Sequence, residues 1–236
     1  MQNKKKRNVL IGALAVLLVA FAVGGTIAWL TSQSSLSNVF TVGTINTPTT
    51  DPDDEPLPDP SSGKVNGNLY EPNWEPNSKV TPGATVAKDP MVGLGKGSED
   101  AYVFVYVDNN LTTDNAAEQA FFYVNPSWAP VIDQATPSTS SDDKVQAGAY
   151  TEGLFKYVGT GSDSTTPAYV LRAADGKDVW TNRSVFNNVT VPAAVTADDF
   201  SDGKNIDVYA FIYAAEGATP AEAEQAAIEW VDTLSD

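Results

Sequence analysis

Two stretches alternate apolar residues on both parities. In "AYVFVYVD", residues 101–108, Tyr102, Phe104 and Tyr106 share one face and Val103, Val105 and Val107 the other. In "IDVYAFIYAA", residues 206–215, Val208, Ala210 and Ile212 oppose Tyr209, Phe211 and Tyr213. Successive side chains of a strand point to opposite faces, so a strand apolar on both is central and covered on both sides. Shorter strands are predicted at "FFYVNPSW" (121–128), "GLFKYVG" (153–159), "AYVLRA" (168–173) and "SVFNNVTVP" (184–192), with a hairpin-type turn at Asp175-Gly176. Residues 36–45, "LSNVFTVGTI", alternate weakly and read as one more strand.

The periodicity changes near the C-terminus. Thr219-Pro220-Ala221-Glu222 combines an N-cap, a Pro at the first helical position and a capping-box Glu. Ala223, Ala226, Ala227, Trp230, Val231 and Leu234 then lie on one stripe at helical spacing. Many short strands separated by turn signals, closed by one helix, predict an all-β chain built as an antiparallel β-sandwich.

Residues 46–68 hold five Pro and the acidic cluster "DPDDE", and read as a solvated linker or long loop. At the other extreme, "KKKR" at Lys4–Arg7 precedes an apolar core from Val9 to Val23. A basic start, an apolar core and a small-x-small site, Thr26-Ile27-Ala28, make an export signal with Ala28 as the last residue removed and Trp29 the first retained. An uncleaved version would span a membrane as a helix, and its basic end would still leave residues 31–236 outside. The domain reading is therefore signal 1–28, strand segment 29–45, linker 46–68 and sandwich 69–236.

Charge and composition narrow the chemistry. Without residues 1–28 the chain keeps 10 basic against 30 acidic residues, a net of −20. Nucleic-acid binding through phosphates needs the opposite sign. The chain has no His and no Cys. This excludes His-dependent triads, Cys–His dyads and His-ligated zinc peptidases, and removes disulfides. Asp142-Asp143 and Asp198-Asp199 are adjacent pairs that a strand would send to opposite faces, so they read as solvated loop residues. No cofactor, metal or catalytic residue is expected. Trp74, Trp128 and Trp180 are candidates for stacking on sugars in an adhesin, against the commoner role of buried anchors. "DPDDE" does not have the spacing of a calcium loop. No sortase motif and no apolar C-terminal tail is present.

Four stretches, in order, resemble the TasA/camelysin family of exported bacterial proteins. They are "GTIAWLTSQSSLSNVFTVGTI", "VTPGATVAKDPMVGLGKGSEDAYVFVYV", "SVFNNVTVPAAV" and "IDVYAFIYAAEG" with its Trp-bearing helix. Leu94 stands where the family has Asn, and the Pro/Asp linker is a further departure. The resemblance implies a jelly-roll sandwich and cleavage by a SipW-type signal peptidase. It also implies a cell-surface or biofilm-matrix location, in a Gram-positive bacterium, and self-association into fibres by strand donation. On that reading Val39, Phe40, Val42 and Ile45 belong to the donor strand, with linker 46–68 as the tether that lets it reach a neighbour. The family's metallo-endopeptidase label is the alternative, opposed by the missing His.

Overall fold

The computed structural model describes residues 36–75, 81–109, 119–138, 147–160, 165–193 and 206–234. The signal residues, including Ala28 and Trp29, and the acidic pairs at 142–143 and 198–199 lie outside them. No helix among the described residues is long and apolar enough to cross a membrane.

The larger sheet is built on the two strongly alternating stretches. Strand β12 (Ile206–Ala214) pairs antiparallel with β6 (Ala101–Asn109) over their whole lengths. Beyond β6 come β8 (Gly153–Tyr157) and then β7 (Trp128–Pro130), while β9 (Val170–Leu171) pairs with the start of β6. On the other side of β12 the sheet ends at β1 (Leu36–Val42). A second sheet runs β10 (Val179–Trp180), β5 (Met91–Leu94), β3 (Leu69–Tyr70) and β2 (Val65–Asn66). A third is the pair β11 (Asn188–Thr190) and β4 (Thr85–Ala87).

Both faces of the central strands are covered, by different partners. Val103, Val105 and Val107 of β6, with Val208, Ala210 and Ile212 of β12, meet Leu69, Val92 and Leu94 of the second sheet in one core. Tyr102 and Phe104, with Phe211 of β12, meet Ala223, Ala227, Trp230 and Val231 of the C-terminal helix α1 (Pro220–Asp232) in another. Each fully buried Val or Phe side chain contributes roughly 1.5–3 kcal/mol, which is why these two strands anchor the fold. Lys156 of β8 lies on the helix side, its side chain 3 % exposed, and its Nζ is paired with Glu224 of α1 at 2.9 Å.

The helix begins where its capping residues put it. The Glu222 amide donates to Thr219 Oγ1 at 3.3 Å, and the Thr219 amide donates back to Glu222 Oε2 at 2.8 Å. Replacing Thr219 with Ala removes one of these bonds and is expected to cost about 1 kcal/mol, read as a lower thermal midpoint. Leu234 falls beyond the helix and is exposed, so the buried stripe ends at Val231.

The all-β expectation holds, with local differences. Strand β1 is parallel to β12, whereas every other ladder among the described residues is antiparallel. A weak apolar alternation sets which side chains face inward but carries no information on strand direction. "FFYVNPSW" is no continuous strand: Phe121 and Phe122 make isolated bridges to Thr190 and Tyr150, and pairing resumes only at Trp128. "AYVLRA" and "SVFNNVTVP" shrink to two and three paired residues. At Asp175-Gly176 the turn forms, closed by a single bridge between Ala174 and Lys177.

Candidate functional site

The N-terminal strand meets the body through one ladder. Its register sets Val39 against Ala210, Phe40 against Phe211, Thr41 against Ile212 and Val42 against Tyr213. The strand ends at Val42, short of the Ile45 expected in it, so alternation divides the three singled-out residues that β1 holds. Val39 and the following Ile45 pack against the main core. Phe40 and Val42 lie on the helix side and remain 49 % and 36 % exposed. The Phe40 ring stacks on Phe211, with centroids 5.6 Å apart and planes 4° from parallel. Phe211 in turn lies 5.3 Å from Trp230.

After β1 the chain turns at Gly43, with φ +98°, a conformation that favours glycine. A side chain there would also collide with the Ala214 methyl. From Thr44 to Thr50 the chain forms a strap bound to the body at almost every residue. The Glu99 amide donates to the Thr44 carbonyl at 3.0 Å, and the Thr44 amide donates to Glu99 Oε2 at 3.2 Å. Asn46 is held on three sides, accepting from the Gly95 amide, donating its own amide to Ser98 Oγ and giving its side-chain NH₂ to the Lys96 carbonyl. Asn68 Nδ2 also donates to the Asn46 carbonyl at 3.0 Å. Pro48 is buried.

Asp178 closes the strap. Its Oδ2 accepts from the Thr49 amide at 2.6 Å and the Thr50 amide at 2.8 Å, and from both threonine hydroxyls at 3.1 Å. Its Oδ1 accepts from the Lys96 amide at 2.8 Å. Burial pushes this carboxyl up, but the Thr49, Lys96 and Thr50 amides and the Thr49 hydroxyl outweigh it and hold it at about 2. Beside it the Trp180 indole donates to the Thr50 carbonyl at 2.9 Å.

The first residues of the Pro/Asp-rich segment are therefore docked, which differs from the solvated linker expected there. The segment that follows folds on itself: Asp51 donates its amide to the Glu55 carbonyl at 2.7 Å, and Leu57 donates to the Thr49 carbonyl at 3.1 Å. Composition points to solvent because the partners of this segment lie far along the chain, at residues 95–99 and 178–180. The one local signal is "VGLGKG". A side chain at Gly95 would collide with the Thr47 carbonyl, and one at Gly93 would meet the Trp180 ring at 2.7 Å and Pro48 at 2.8 Å. Both glycines leave room for the strap and for Trp180.

None of the three tryptophans weighed for sugar stacking is widely open. Trp74 and Trp128 are each 2 % exposed, Trp128 donating its indole N–H to the Arg183 carbonyl at 2.9 Å, and Trp180 is half-buried against the strap. Beneath Trp74 lies a buried ion pair that the sequence reading did not single out. Lys88 Nζ stands 5.2 Å from the Trp74 ring centroid, 2.9 Å from Glu71 Oε1 and 3.2 Å from Oε2, which accepts its hydrogen bond. Among the described residues no group of three or more His, Cys, Asp or Glu side chains stands close enough to hold a metal ion. An open groove of about 590 Å³ beside β7 is walled by Tyr123, Trp128, Ile132 and Tyr150, with Asp133 as its one charged residue among the described residues. Comparison with protein-family models, with curated proteins and with solved structures finds no match.

Proposed function

We propose that this chain is an exported structural subunit of cell-surface or matrix fibres, and that copies join by passing β1 from one body to the next. The observation that supports this most is the situation of β1. It ends the sheet, it hydrogen-bonds to β12 alone among the described strands, and it leaves Phe40 and Val42 partly in solvent. A sheet edge is a template for another chain's strand, and a head-to-tail contact that does not close builds a filament. The body carries a net charge near −20, so copies repel each other at long range and associate only where a ladder rewards contact. On this reading the all-β body is a jelly-roll sandwich. The export signal is removed between Ala28 and Trp29 by a SipW-type signal peptidase, and the partner is a second copy of the chain.

The test is assembly itself. The chain beginning at Trp29 is expected to form filaments visible by negative-stain electron microscopy. The chain beginning at Gly43 is expected to keep its β-rich circular dichroism and form none. Filaments from the shorter chain would overturn strand exchange, and the absence of filaments from the longer one would overturn the fibre reading altogether.

A further inference from the structure

We propose that Gly43 is the pivot of this exchange. The arm handed to a second copy is then the segment up to Val42, and the strap from Thr44 to Thr50 stays on its own body. The inference rests on the strand-exchange reading and moves the hinge from the Pro/Asp-rich linker to a glycine three residues before it. The docking surface on the second copy is the β12 edge from Val208 to Tyr213, with the Phe211 ring as the platform for Phe40.

The two sides of Gly43 are held very differently. Ahead of it lie one ladder, one ring stack and the packing of Val39 on the main core, with Phe40 half in water. Behind it, Thr44 and Asn46 bond to residues 95–99, Pro48 is buried against Gly93, and Asp178 gathers the amides and hydroxyls of Thr49 and Thr50. Releasing the strap would strip a buried carboxylate of four of its donors at once, which is costly for a charged group. Releasing residues 39–42, the described side chains of the arm, strips no charged group.

A pivot beyond the strap is opposed by local folding as well. The segment that would have to swing is closed by the Asp51–Glu55 and Leu57–Thr49 backbone bonds, and Asp51 Oδ1 accepts from the Asp53 and Glu55 amides. Its far end is capped, Asp59 accepting from the Ser61 amide at 2.8 Å. Gly43 carries no comparable restraint on its torsions. A glycine takes both signs of φ, so the chain can redirect there without a steric penalty.

Because the chain has no Cys, paired substitutions test this cleanly. Val42 and Tyr213 are register partners, so V42C/Y213C ties the arm to its own body. The Glu99 amide bonds to the Thr44 carbonyl, so T44C/E99C ties the strap instead. With each disulfide verified by intact mass, the oxidised strap pair is expected to assemble at the unmodified rate. The oxidised arm pair is expected to form no filaments until a reductant is added. If both oxidised pairs block assembly, the pivot lies beyond the strap: the inference fails and strand exchange stands. If neither blocks it, the arm is not exchanged and both fail. Amide hydrogen exchange on the unmodified monomer checks the same point without substitutions. Residues 36–42 are expected to exchange before 44–50, and simultaneous exchange of the two segments would overturn the pivot.

Discussion

Replacing Lys88 with Met lowers stability by roughly 3–5 kcal/mol in denaturant unfolding near neutral pH, and the E71L/K88M double substitution recovers most of that loss. The Lys88 side chain is 2 % exposed and that of Glu71 0 %, so neither charge can turn to water when its partner goes. Burial pushes the Glu71 carboxyl up and the Lys88 ammonium pulls it down, with burial the larger effect. Without Lys88 only the upward push and the repulsion from Asp89 remain, and the carboxyl goes higher still. A carboxyl raised in the folded state contributes most below its unfolded value and loses that contribution as pH rises through the folded one. The K88M deficit should therefore shrink on acidification from pH 8 towards pH 5. A loss under about 1 kcal/mol, the scale of a surface ion pair, would show that the pair is not enclosed. A double variant no better than K88M would show that shape rather than charge is at stake.

Substituting Asp178 with Asn is the second large effect, and pH separates its electrostatic share. An amide cannot replace this carboxylate. If its oxygen serves the Thr49 and Thr50 donors, its NH₂ faces the Lys96 amide, and donor meets donor. A loss of roughly 2–3 kcal/mol at pH 7 follows from the charge-assisted bonds given up. Asp178 sits at about 2 against an ordinary value of 3.8. Its contribution is therefore fully present above about pH 4 and declines as pH falls through 2, an acid-sensitive share of about 2 kcal/mol. Glu71 and Asp89 are shifted upward by burial and work in the opposite sense, gaining as they protonate. The useful quantity is thus a double difference: the drop in unfolding free energy between pH 7 and pH 3 should be smaller in D178N than in the unmodified chain. Equal drops would mean that the strap does not depend on the carboxylate.

The sequence was most legible where the physical signal is local. Both faces of β6 and β12 follow from alternation, because burying six apolar positions in a row leaves a strand no solvent face. The capping box sets the start of α1 because its partners stand three residues apart. The position of β1 was legible too, but its direction was not, since alternation reads the same forwards and backwards. Least legible was the grip on residues 46–50. Asp178 sits in "GKDVW", where a charge beside a tight turn needs no partner to make sense, yet its partners Thr49 and Thr50 are 129 and 128 residues away. Pro and Asp in linker 46–68 suggested solvent because composition counts polar groups and not the donors that meet them. Glu71 and Lys88 illustrate the same limit: each alone reads as a surface charge, and only the fold brings them together beside Trp74.

Because β1 forms its one ladder at the end of its sheet, a thread made by passing it along, as proposed, would have a polarity, and its two tips would be unlike. At one tip a bare β12 edge leaves Phe211 uncovered; at the other a loose arm leads with Phe40. An incoming copy must bring an arm to the first tip and a vacant edge to the second, so growth at the two tips has separate rates. A copy lacking its arm could still receive one but could never give one, and a single such copy would end elongation in one direction. The length of such a thread is then governed by the supply of complete copies and by whatever covers the bare edge, a form of control that needs no further domain.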